Sequence, residues 1–305
     1  MAKPKIPTRT IPTLYQDWGL YSAICELPQE TMLMMSRFVA DRTIEHANRH
    51  DIDRVSIMEP FSGPIPYYEP DIDSFLTRAG IGLDTYDHVE YLDHGELTKK
   101  NNIIIGDITT IDLKQKYDVI YGSYGSLACL LLDQTHNKAY EKSHAALVNI
   151  REHLKPGGIF VLNANGSSES LLNNLLNSDE PDQEIRVRPG SQLGKAFRIK
   201  PDSNALLRFT YHVEYDRRTT CTMCHYSDMV LSVNGVDIQR WEVESPTYLA
   251  PLDEPELIRM AGMAGFNLDN TEFYGLDTTG YPAFFKMDTV CDGSWSPAEF
   301  VVFRT

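Results

Sequence analysis

The sequence predicts an α/β protein whose mostly parallel sheet carries helices on both faces. Three observations carry this. First, apolar strands that run into an acid or a turn recur along 52–165: Val55-Ser-Ile-Met-Glu59, the run ending Ile81-Gly-Leu-Asp84, Ile103-Ile-Ile-Gly-Asp107 and Tyr117-Asp-Val-Ile-Tyr121. Second, helical periodicity separates them. Third, beyond residue 166 the pattern changes to long alternating strands joined by Asn234-Gly235, a pair suited to a two-residue hairpin turn.

Each element follows in order. Residues 1–14 are rich in proline and threonine and read as an extended arm. Residues 15–50 read as helical, with apolar residues at helical spacing from Pro28 to Ala40. The 52–165 segment forms the βα core. Pro64, Pro66 and Pro70 delay its first helix, whose body is expected over Asp71–Arg78. A second helix is expected over 137–154, ahead of Lys155-Pro-Gly-Gly158 and a fifth strand, Ile159–Leu162. In 166–250 a short helix is expected over Ser167–Leu176, then antiparallel strands over Leu206–Tyr215, Thr219–Val233 and Val236–Glu244. The chain then returns to the core through a helix near 255–266, with last strands around Phe273-Tyr274 and Glu299–Phe303. The expected regions are therefore 1–50, 51–165, 166–250 and 251–305.

Composition excludes several classes of function. The net charge is −15 with a pI near 5.0 and no run of Lys and Arg, which argues against a nucleic-acid partner. The apolar stretch Met32–Met35 is short and broken by charges, so no membrane span is expected. The N-terminus has no apolar run behind a basic head, so a cytoplasmic protein is expected. Five scattered cysteines fit reduced thiols. Cys221-Thr-Met-Cys224-His225 has the spacing of a haem attachment motif, but it falls in a strand, where residues three apart face opposite ways. No second ligand pair stands at zinc spacing, so no metal is expected. The G-x-G-x-x-G pattern of nicotinamide dinucleotide sites is absent.

Acids at the carboxyl ends of successive parallel strands converge on the crevice where open α/β sheets bind ligands. With Glu59-Pro-Phe-Ser-Gly63, Asp84, Asp107 and the Lys155-Pro-Gly-Gly158 turn in this order, the chain resembles the class I S-adenosylmethionine (SAM)-dependent methyltransferases of small molecules. The resemblance implies a Rossmann-like seven-stranded sheet, an N-terminal helical lid and an antiparallel β insertion after the fifth strand as a roof for the acceptor. It implies SAM as cofactor. Glu59 with Phe61, Ser62 and Gly63 would lie at the methionine end, Asp84 at the ribose and Asp107 with Ile108 at the adenine. Tyr121, Gly122 and Ser123 would face the transferred group. On the lid, Tyr15, Trp18 and Tyr21 fall three apart and would meet the substrate, as would Arg208 on the roof. His88 and Asp87 would lie on the adenosine side.

Methyl transfer is an in-line displacement that needs alignment and exclusion of water more than a strong acid or base. Aromatic faces suit the sulfonium, so Tyr121 and Tyr124 are the expected catalytic residues, with His136 as the candidate base. One departure opens a second chemistry. The family pattern E/D-x-G-x-G-x-G reads Phe61, Gly63 and Ile65 here, so one glycine of three remains. A reshaped turn would bend the methionine tail and expose another sulfonium carbon. Transfer of the 3-amino-3-carboxypropyl group, or closure of SAM to an azetidine amino acid, would then release methylthioadenosine. A third reading is a binding protein on the same fold without catalysis. The leading expectation is methyl transfer to N or O of a small molecule, with oligomeric state left open.

Overall fold

The computed structural model of the 305-residue chain describes residues 6–25, 29–123, 127, 139–164, 182–216, 221–249, 254–277, 283–287 and 300–305. In chain order its first elements are β1 (Thr8–Ile11), α1 (Trp18–Cys25), α2 (Gln29–His50), β2 (Arg54–Pro60), α3 (Glu69–Arg78), β3 (Gly82–Glu90), α4 (Glu96–Lys100), β4 (Ile104–Ile105), β5 (Tyr117–Gly122), α5 (Ala139–His153) and β6 (Leu154–Asn163). There follow β7 (Asp182–Arg186), α6 (Gln192–Ala196), β8 (Ala205–Asp216), β9 (Cys221–Val233), β10 (Val236–Val243), β11 (Thr247–Leu249), α7 (Glu254–Met263), β12 (Asn267–Asp277), β13 (Ala283–Lys286) and β14 (Phe300–Arg304). They divide into two compact units, residues 28–171 with 250–305 and residues 1–27 with 172–249.

The larger unit is built on an eight-stranded sheet in the order β13-β12-β14-β6-β5-β2-β3-β4. Strands β4, β3, β2, β5 and β6 are parallel, and β14 runs antiparallel between β6 and β12. The chain steps outward from β2 through β3 to β4, then crosses back to β5, so the topological switch lies between β2 and β5. Seven of these strands match the expected core in number, and β13 is an eighth at the edge. Period-two alternation divides the side chains between two faces. Met58, Ile120, Phe160, Leu162, Val301 and Phe303 pack with Ala146, Leu147 and Ile150 of α5 and Leu257, Met260 and Ala261 of α7. Phe38 of α2 stacks on Phe300 at 4.2 Å, and Phe300 is the neighbour of Val301 in β14. Helices thus cover both faces, as the sequence predicts.

Helix boundaries have local causes. Helix α3 begins at Glu69 rather than beyond Pro70, because a proline in the first turn sacrifices an N–H that has no intrahelical partner. After β4, Asn149 of α5 donates to the carbonyls of Ile108 and Ile111, and His153 Nε2 accepts from the Leu113 amide. These contacts fix a stretch that carries little regular structure of its own.

The smaller unit is a six-stranded sheet in the order β1-β10-β9-β8-β7, with β11 against β9. The tight turn between β9 and β10 has Asn234 at φ 52° and Gly235 at φ 78°, as the Asn-Gly pair predicts. Part of the arm expected to be extended is strand β1, parallel to β10. Asp17 organises the entry to α1: it accepts from the Leu20 amide, from Arg9 and from Trp241 Nε1. Trp241 lies buried with Leu14, Leu20, Phe209, Met229 and Leu231. Cys224 is buried in β9. The helix expected over Ser167–Leu176 lies outside the described residues.

Phe160 is wholly buried and stacks with Phe266 and Phe303. Phe160→Ala is expected to lower stability by about 3–5 kcal/mol, read from urea denaturation curves.

Candidate active site

Strand β2 ends at Pro60, and the chain then turns sharply through 61–68 before α3. Phe61 has φ 66° and Gly63 φ 69°. The turn therefore takes the left-handed conformation at the first glycine position of the family pattern although a phenylalanine stands there, at a cost of roughly 1–2 kcal/mol. Side chains and backbone of β3 restrain it. The amides of Phe61 and Ser62 donate to the Val89 carbonyl at 2.8 and 3.3 Å, and Gly63 N donates to Glu90 Oε2 at 2.9 Å. Asn101 Nδ2 donates to the Pro64 carbonyl at 2.8 Å.

Strand β3 corrects the position of one expected site residue. The sequence reading ends this strand at Asp84, but it runs on to Glu90. Asp84 sits near its start, at a bulge between the pairs Val55↔Leu83 and Ser56↔Thr85, half exposed and paired with Arg54. It is at the end of the sheet remote from the crevice. The acid that closes β3 is Glu90. Its Oε1 accepts from Leu92 N and its Oε2 from Gly63 N; burial raises its pKa, and these amides oppose the rise. Residues 85–90, Thr-Tyr-Asp-His-Val-Glu, carry no period-two apolar alternation that would have extended the strand. Asp107 follows β4 after Gly106, with Oδ1 accepting from Thr109 N and Oγ1, and Ile108 is buried beside it.

Beneath the turn lies a polar row. Glu59 pairs across the sheet with His88. Glu59 is 1% exposed and His88 4%. His88 Nδ1 is 3.5 Å from Glu59 Oε2, and its Nε2 donates to Glu69 Oε2 at 3.0 Å. Tyr86 donates its hydroxyl to Glu59 Oε2 at 3.3 Å and stacks on His88 at 4.8 Å. Glu59 Oε1 is buried without a partner. Burial alone would lower the His88 pKa, but its hydrogen bonds to Glu59 and Glu69 outweigh this and raise it to about 9. Burial pushes the Glu59 carboxyl up, against the contacts from His88 and Tyr86. Both ring nitrogens of His88 face carboxylates, which favours its protonated form.

The other expected residues fall as follows. Tyr121 stands one residue before the end of β5 and is fully buried, edge-on to Tyr68 of the turn at 5.5 Å. Gly122 closes the strand where a side chain would meet Leu162 and Phe160, and Ser123 is buried beyond it. Tyr124 and His136 lie outside the described residues. Asp87 accepts from Tyr117 at 2.7 Å and serves the sheet interior. In the smaller unit Tyr15, Trp18 and Tyr21 form one aromatic group, with Tyr21 4.5 Å from Tyr15 and 5.4 Å from Trp18. Arg208 is held by Asp237 at 2.7 Å and Ser232 at 3.0 Å. Among the described residues no group of three or more His, Cys, Asp or Glu could hold a metal ion, and no helix is long and apolar enough to cross a membrane.

Several solved structures are similar to this chain. One is the SAM-bound amino pentose methyltransferase of Micromonospora echinaspora, at 16% identity and TM-score 0.53 over 93% of this chain and 94% of that one. Another is the CcbJ methyltransferase of Streptomyces caelestis, at 16% identity and TM-score 0.52 over 96% and 98%. A third is a sugar N-methyltransferase from Streptoalloteichus, at 12% identity and TM-score 0.54 over 100% and 97%. The likeness shows the fold: a Rossmann-like α/β sheet of the kind these methyltransferases share. No protein-family model matches the chain, and no curated protein matches it in sequence.

A histidine whose folded pKa is raised stabilises the fold fully below its unfolded value, and that contribution is lost as pH rises through the folded value. Urea midpoints of the wild-type protein are therefore expected to fall between pH 6.5 and about 9. A His88→Gln variant is expected to lack this component of the fall.

Proposed function

We propose that the chain is a SAM-dependent transferase that moves a methyl group to N or O of a small molecule. The observation that carries this reading is the set of carboxylates at the carboxyl ends of β2, β3 and β4, beside a turn of left-handed backbone at the switch point of the sheet. SAM, when bound, supplies an electrophilic methyl group on a sulfonium.

The residues present fit that ligand. Glu90 is preorganised by two backbone amides, and each oxygen keeps a lone pair for a ribose hydroxyl. Glu90 therefore takes the ribose role that the sequence reading gave to Asp84. Asp107 can accept from the adenine amine through Oδ2, which accepts no hydrogen bond among the described residues. Phe61, Ser62 and Gly63 run close beneath the methionine end. Two of the similar structures are methyltransferases of an amino pentose and of a sugar nitrogen, which supports an amino sugar as the first acceptor class to test.

The second chemistry, attack at another sulfonium carbon, rests on the missing glycines. The positive φ at Phe61 and Gly63 weakens its ground, since the backbone keeps the conformation that glycine would give. Mass spectrometry separates the readings. S-adenosylhomocysteine formed only when an amino sugar is added supports methyl transfer, and methylthioadenosine formed without an acceptor supports the second chemistry. SAM that is bound and never consumed supports a binding protein.

Glu90→Ala is expected to weaken SAM binding by about 10- to 100-fold in calorimetry, the loss of hydrogen bonds to a charged acceptor. Asp84→Ala is expected to change it by less than about twofold, as the partner of an exposed ion pair.

A further inference from the structure

The Glu59–His88–Glu69 row connects three separate pieces of chain. Glu59 belongs to the last turn-facing position of β2, His88 to β3, and Glu69 opens α3 where the 61–68 turn ends. The start of that turn is pinned through Val89 and Glu90, residues adjoining His88 on the same strand. Its end is pinned through His88 itself. Two glycines that would let the backbone settle unaided are missing, and the turn carries a phenylalanine in left-handed conformation. A buried histidine between two carboxylates is a geometric answer to this need, because its contact with Glu69 ties the start of α3, and so the end of the turn, to β3.

We propose that His88 is the positioning residue of the cofactor turn: by bridging Glu59 and Glu69 it holds 61–69 in the conformation that receives the methionine end of SAM, and so sets the affinity for SAM. This rests on the cofactor site proposed above. The groups facing His88 are Glu59 of β2, Glu69 of α3 and Tyr86 of its own strand, with Tyr121 of β5 and Tyr68 behind them. Tyr86 and Tyr121 stay neutral across the useful pH range, since burial raises both well above the ordinary value. His88 is the member of the row whose titration is raised to about 9.

The test uses the full chain with His88→Gln and Glu69→Gln. Glu69 is partly exposed, so its variant leaves the buried Glu59–His88 pair intact and keeps the test open if His88→Gln does not fold. Calorimetry with SAM is expected to show binding weakened about tenfold or more at pH 7 in either variant, the size of one charge-assisted contact. The ratio of wild-type to variant affinity is expected to shrink toward one as pH rises through about 9. The ratio is the quantity read, because the ligand's own amine titrates alike in both measurements. Amide exchange of 61–69, measured without ligand, is expected to accelerate in Glu69→Gln while β5 and β6 stay protected.

Wild-type binding with a ratio near one at every pH would overturn the role, as would a ratio that does not change with pH. Unchanged exchange of 61–69 would also overturn it. Absence of SAM binding by the wild-type protein would overturn the cofactor reading and this role with it. Exchange would then still tell whether the bridge holds the turn.

Discussion

A carboxylate taken out of water is tolerated only when paired, and Glu59 is such a carboxylate in the middle of the main sheet. Much of the local arrangement follows from meeting that requirement. His88 must lie in register with it on β3, which fixes how β3 is shifted along β2. Glu69 must reach the far side of the imidazole, which brings the first turn of α3 down to the sheet. The row is thus a specification of register as much as a source of binding energy. An apolar row in its place would pack as well but would leave the α3 terminus free to slide.

The turn above this row shows how a chain can keep a conformation after losing the residues that favour it. Glycine adopts positive φ without steric cost, and phenylalanine does not. Here the left-handed step at Phe61 is held by amide bonds to Val89 and by the Glu90 carboxylate. The shape of a ligand-facing turn is accordingly a property of its supports, and a motif read as glycine positions alone understates what the backbone does.

Much of the fold was legible in the sequence. The strands around 55–58, 119–121 and 159–162 announce themselves by clustered apolar residues, although β6 already starts at Leu154, ahead of the expected turn, and the Asn234-Gly235 hairpin has a turn chemistry of its own. The end of β3 was not legible in the same way. Its second half, Thr85 to Glu90, is largely polar, because Tyr86, Asp87 and His88 pair with Glu59, Tyr117 and Glu69 of neighbouring elements. Buried polar groups mimic the pattern of a surface loop, so the first acid after the apolar run, Asp84, was taken for the last residue of the strand. The same masking hid Glu90. Strand β13 was missed because a four-residue edge strand has too few alternations to stand out.

Strand β14 has a consequence for how the protein is made. Residues 300–304 fill the gap between β6 and β12, and Thr305 donates its amide to the Gly158 carbonyl and its hydroxyl to the Lys155 carbonyl. During synthesis, β6 therefore leaves the ribosome with one edge open, and it stays open until some 140 further residues have been added. An open edge of Phe160, Val161 and Leu162 is a template for any passing strand. The nascent chain thus carries a hazard of mispairing at this edge until residues 300–304 have emerged.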